Sequence, residues 1–183
     1  MSGLVSGVVK LILLSIPTVI YLLVRRRRTD RGRRSMGLTW GATNDYIWAI
    51  VAVVVLGGLS LAATKLIPAD VLATVGTTNR ITTLVAALAV IVRAAGEETL
   101  FRGFLQGVFS NRFGKAAGIW VQAVLFLLPH LALLLLVSPL VWPILPAQFL
   151  IGLALGWLRS RHDSVAPTIA VHVVVNVIAG LIV

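Results

Sequence analysis

Apolar residues in this chain come in long runs, not in the alternating or narrow helical stripes of a water-soluble fold. Residues 4–24 are apolar apart from Ser6, Lys10, Ser15 and Thr18. Similar runs cover about residues 45–67, 81–109, 116–137, 147–159 and 165–183. A bilayer core needs roughly 20 apolar residues in a helix. The pattern therefore predicts an all-α, polytopic membrane protein of about six transmembrane helices. Pro17 is expected to kink the first helix and Pro68 to end the second. The third run is long enough to require tilt. Residues 138–146 hold three prolines and no charge, which suits an outer loop. The first run is read as a retained span, because its basic cluster follows the apolar stretch instead of preceding it.

Composition agrees with the pattern. Of 183 residues, 58% are hydrophobic, against about 45–50% in soluble domains. Cysteine is absent, which removes disulfides, thiolate nucleophiles and Cys-based zinc sites. The net charge of +10 suggests nucleic acid until its distribution is considered. Seven of the sixteen Lys and Arg residues lie between Arg25 and Arg34. Loops at 25–34, 111–115 and 159–163 together hold eleven, while the opposite loops hold only Arg80, with Lys65 at a helix end. This asymmetry is the positive-inside pattern. It predicts an integral protein, of a bacterial inner membrane in this reading, with both termini outside. Lipid headgroups, not nucleic acid, are the expected partner of the basic run. Residues 36–44 are expected along the interface, and the tryptophans as interfacial anchors. The chain divides into a two-span region, 1–80, and a core of about four spans, 81–183.

Ionisable residues at membrane depth are few. Each costs about 2.5–3.5 kcal/mol to insert, so they face the protein interior and are functional candidates. The only glutamates, Glu97 and Glu98, are adjacent in the third run, between Arg93 and Arg102. His130 lies in the fourth run, and His172 and Asn176 in the sixth. His172 and Asn176 are spaced i,i+4 and share a helix face. Glu98 and Arg102 are also i,i+4, in the favourable order, so they are expected to pair. Glu97 points about 100° away and is left free for chemistry, Arg93 being the less favoured partner. Glu97, His130, His172 and Asn176 lie roughly 10–20 Å along their helices, so they can meet in one polar cavity. A carboxylate and an imidazole can hold and deprotonate a water. A second imidazole and a carboxamide can donate to an oxyanion. The set describes peptide hydrolysis.

Three motifs carry a resemblance. Glu97 to Arg102 fits EExxxR, Phe126 to His130 fits FxxxH, and His172 to Asn176 fits HxxxN. In order and spacing they resemble the CPBP family, the CAAX proteases and bacteriocin-processing enzymes also called Abi, over residues 92–179. The resemblance implies a glutamate-dependent intramembrane protease acting on a membrane-associated peptide or protein. It implies that Glu97 and His130 activate water and that His172 and Asn176 form the oxyanion site. Glu98, Arg102 and Phe126 would support them. Eukaryotic members of the family cut the last three residues from prenylated proteins, and bacterial relatives are linked to bacteriocin maturation or self-immunity.

Other readings stay open on sequence grounds. Glu97 and Glu98 would also serve as a structural ion-pair network, His130 as a helix-bridging donor at Pro129, and His172 with Asn176 as interhelical glue. Glu97, His130 and His172 form a set that zinc accepts, although no H-E-x-x-H helix is present. No other cofactor is expected. A transporter would show repeated halves, which this chain lacks. A binding-only immunity protein would keep the motifs without using them. His162 is expected to be solvated, and Gly103/Gly107 and Gly152/Gly156 to allow close internal packing. Oligomeric state is not readable.

Overall fold

The computed structural model describes residues 2–24, 29–76 and 81–182. Arg25 to Arg28 of the basic run, and Arg80, lie outside the described residues. All regular structure among the described residues is helical. In chain order the helices are α1 (Ser2–Val24), α2 (Thr29–Ser35), α3 (Thr43–Lys65), α4 (Ala69–Gly76), α5 (Leu84–Glu98), α6 (Gln106–Phe113), α7 (Lys115–Leu136), α8 (Ile144–His162) and α9 (Ala166–Ile182). A π-helical stretch, Thr99–Leu105, joins α5 to α6. A 3-10 turn, Pro139–Val141, precedes α8.

Gly3–Val24, Thr43–Lys65, Lys115–Leu136 and Pro139–His162 are long and apolar enough to cross a membrane, and Ala166–Ile182 is a shorter apolar helix. Their outward faces are apolar, with Val54, Leu135 and Leu136 among the exposed side chains, as a lipid-facing surface requires. The chain is a polytopic helical membrane protein.

Three expectations need correction. The Pro-rich outer loop is largely helical: Pro139 opens the 3-10 turn, Pro143 caps α8 and Pro146 lies in its first turn. Proline at a helix start gives up an N–H that has no partner there anyway. The fifth helix is thus longer than its apolar core. Second, the basic stretch continues into a short helix, α2. Third, the presumed interfacial segment 36–42 is partly buried in the protein. Met36 is fully buried. Val165 N–H donates to Gly37 O at 2.9 Å, and Thr39 Oγ1 to Asp163 O at 2.9 Å. Gly41 has φ 76°, and a Cβ there would meet Asp45 Oδ2 at 2.9 Å, so the turn needs glycine.

Small residues set the helix spacing. A Cβ on Gly96 would meet Leu11 Cα at 2.9 Å, which brings α1 tightly onto α5. Gly152 faces Ala123 across α7 and α8. Gln122 Nε2 donates to Gly152 O at 2.7 Å and Gln106 Nε2 to Gly156 O at 2.7 Å. Gly103 and Gly107 let Met36 O and Ser35 O approach. The two small-residue motifs therefore serve internal packing. Helix α3 closes the bundle on α8 and α9 through Ala49, Leu56, Ile151, Leu155, Val171 and Val175. The first two long helices thus pack directly on the helices that carry the motifs.

Candidate active site

The glutamate pair sits at the end of α5, where the chain passes into the π stretch. Wider π turns inside α-helices recur at functional sites. Here Thr99 Oγ1 donates to Ala95 O at 2.8 Å, and Thr18 Oγ1 of α1 reaches Thr99 O at 3.3 Å.

Glu98 and Arg102 are both 0% exposed. Arg102 Nη1 donates to Glu98 Oε1 at 2.7 Å, as the i,i+4 spacing anticipates. The same oxygen accepts from His172 Nδ1 at 2.8 Å. A carboxylate has lone-pair room for two donors. Glu98 therefore clamps α9 onto α5 and fixes the His172 ring.

Glu97 is more open, with 26% of its side chain exposed. It is not free of partners, contrary to the sequence expectation. Arg93 Nε lies 3.8 Å from Oε1, and His172 Nε2 lies 3.7 Å from Oε2. The poorer i,i+4 order does not prevent the Arg93 contact, because Glu98 already occupies Arg102. The nearest imidazole to Glu97 thus belongs to His172, and His130 makes no ion pair with it.

Phe126 organises the remainder. Buried on α7, it lies under the Arg102 guanidinium, with Cζ 4.2 Å from the ring centre. Its ring packs at 5.1 Å from Phe101, 5.2 Å from His130 and 6.2 Å from His172, between centroids. The half-buried His130 uses Nδ1 on Phe126 O, at 3.0 Å, within its own helix. A helix-bridging role at Pro129 is therefore not what this nitrogen does. A carbonyl can only accept, so Nδ1 carries the hydrogen and the neutral ring has its lone pair on Nε2. Asn176 lies one turn beyond His172, half-buried, and its carboxamide makes no hydrogen bond among the described residues.

Among the described residues, no group of three or more His, Cys, Asp or Glu side chains is arranged to hold a metal ion. Glu97, His130 and His172 would have to move closer together to ligate zinc.

A second polar cluster escaped the sequence reading. Asp45, 1% exposed in the first turn of α3, accepts from Ala42 N at 2.9 Å and contacts His162 Nδ1 at 2.8 Å and Arg161 Nε at 3.4 Å. His162 is therefore paired, not simply solvated, because α8 stays helical through it. Arg161 also lies over Trp48 and Trp157, which pack edge to face at 5.5 Å, so these two tryptophans do more than anchor the interface. Asp45 at the third position after the Ala42 cap was the available signal.

The model of one family, Type II CAAX prenyl endopeptidase Rce1-like, matches residues 79–178, which contain all three motifs. The chain belongs to the Rce1-like family. No curated protein and no solved structure matches it. Membership makes the chain a membrane endopeptidase of the CAAX protease class in general terms, and this family acts on membrane-associated proteins. The Rce1-like match spans α5 to α9, the helices that hold Glu97, His130 and His172.

Proposed function

We propose that the chain cleaves a peptide bond of a membrane-associated protein by glutamate-activated water. The observation that carries this reading is His172, held on buried Glu98 through Nδ1 and facing the more open Glu97 with Nε2. Glu97 takes a proton from water as the hydroxyl attacks the carbonyl carbon. His130 holds that water through its Nε2 lone pair. The oxyanion is received by an N–H of His172 at Nε2 and by the Asn176 carboxamide. Glu97 then delivers its proton to the departing amine. The products are a carboxylic acid and an amine, which ionise to a carboxylate and an ammonium group as the acid's proton passes to the amine. Arg102 balances the Glu98 charge, and Phe126 holds Arg102 and both imidazole rings.

The site is reached from the cytoplasmic side in this reading, with both termini outside. Support comes from Arg34, Lys115 and Arg159, which line one cavity at the same end of the bundle. A bacterial role such as bacteriocin processing or self-immunity fits the resemblance of the three motifs to the CPBP family.

The test is cleavage of a membrane-tethered peptide library by the purified protein in liposomes, with and without a strong chelator, beside Glu97→Ala. Cleavage that survives chelation and vanishes in the variant is expected. Full cleavage by Glu97→Ala removes Glu97 from the chemistry. Loss on chelation with rescue by zinc moves Glu97, His130 and His172 to metal ligation. A folded protein that binds peptides and cuts none supports a binding-only immunity role.

A further inference from the structure

The active site uses none of the cations that close α2. Arg33 and Arg34 are exposed, and the 36–42 connector folds back from them onto the start of α9. Between connector and helix lies a cavity of about 580 Å³. Leu38, Trp40, Val165 and Ile169 give it apolar walls, while Arg33 and Arg34 supply charge. Arg34 also lines a smaller, polar cavity of about 230 Å³, together with Lys115 and Arg159. Asp163 is the one carboxylate among the described residues there, and it already pairs with Arg159 Nη1 at 3.1 Å. Arg159 is 2% exposed, and its Nε has no hydrogen-bond partner among the described residues. Ser110 Oγ, in the same cavity, is likewise unpartnered.

An apolar trough and a cation-rich chamber that share one arginine suit a molecule with an anionic head and a hydrocarbon tail. A soluble phosphate would leave the apolar walls unused. A zwitterionic lipid would offer no net charge to the arginines. We propose that this junction is a binding site for one anionic phospholipid. Its phosphate lies on Arg33 and Arg34, towards Lys115 and Arg159. One acyl chain lies along Leu38, Trp40 and Ile169. The bilayer supplies this ligand at high local concentration, and Trp40 is exposed beside the trough. The proposal does not depend on the catalytic reading, because no catalytic side chain lines either cavity.

The experiment is native mass spectrometry of the full chain in detergent, offered phosphatidylglycerol and phosphatidylcholine of equal chain length. Retention of phosphatidylglycerol over phosphatidylcholine by about twenty-five-fold is expected, two surface cations each contributing about a factor of five. The double variant Arg33→Glu, Arg34→Glu should lose the preference. Ile169→Trp should also lose it, because it fills the trough and leaves every charge in place. Trp40→Ala, at an exposed position, gives a second test of the trough that spares the core. Unfolding temperatures of the variants confirm that each is folded. Equal retention of the two lipids overturns the proposal. A preference unchanged in both Ile169→Trp and Trp40→Ala also overturns it, and assigns the effect to diffuse attraction by the basic run. Displacement of the lipid by millimolar inorganic phosphate reduces the site to a simple anion pocket.

Discussion

The guanidinium of Arg102 lies over the ring of Phe126, 4.2 Å from its centre, with both side chains buried. This contact ties the first motif to the second. Arg102 spends Nη1 on Glu98, and the aromatic face shields the planar ion where water cannot. Phe126→Ala should therefore act in two ways. It opens a cavity, which for a buried Phe costs about 3–5 kcal/mol. It also frees both imidazole rings from their shared packing partner. The expected result is a lower unfolding temperature in detergent together with a large fall in cleavage. Phe126→Trp, which keeps a π face, should recover part of the activity. Equal activity in Phe126→Ala and the parent would show that the ring positions nothing.

The two glutamates should separate cleanly. Glu97 is partly open and Glu98 fully enclosed. Glu97→Gln should abolish cleavage and leave thermal stability nearly unchanged. Glu98→Gln should reduce both, because it leaves Arg102 as a buried charge without its counter-ion, at a cost of about 3–5 kcal/mol. Unfolding curves and cleavage rates measured on the same preparations decide the point. The opposite pattern, with Glu98→Gln stable and inactive, would exchange their roles.

Much of this was legible in the sequence, and the failures have physical reasons. Six apolar runs gave the helices, because hydrocarbon leaves the backbone few alternatives. The i,i+4 spacing gave the Glu98–Arg102 pair, because it is local. The contact between Glu98 and His172 spans 74 positions, and only packing of α5 on α9 brings it about. The π stretch has no composition signal. Asp45 and Gln122 were passed over because one residue in an apolar helix looks like an interruption until its partner on another helix is seen. The helical 138–146 segment was missed because prolines at a helix start resemble prolines in a loop.

The glycines offer a packing test. A Cβ on Gly156 would lie 2.4 Å from Gln122 Nε2, whereas one on Gly58 would meet nothing within 4 Å. Gly156→Ala should lower the unfolding temperature by pushing α8 off α7 and stretching the Gln106 to Gly156 hydrogen bond. Gly58→Ala should be neutral or stabilising, by up to about 1 kcal/mol from helix propensity. Destabilisation by both to a similar extent would mean that α3 also packs closely at Gly58.

Asp45 and His162 should couple α3 to α8. Asp45 caps its own helix through Ala42 N and holds His162 Nδ1 at 2.8 Å. Because His162 is about half exposed, it can turn to water when its partner is lost, so removal strands no buried cation. Asp45→Ala is then expected to cost about 0.5–2 kcal/mol, the range for losing a helix cap. Its effect on cleavage per folded molecule should be small, since the cluster touches none of the motif side chains. A double-mutant cycle with His162→Ala isolates the link between the helices. A coupling of about 1 kcal/mol is the expected result, as for a side-chain contact at 2.8 Å. Additive effects of the two substitutions would show that Asp45 acts only as a cap and that α3 is held by its apolar face alone.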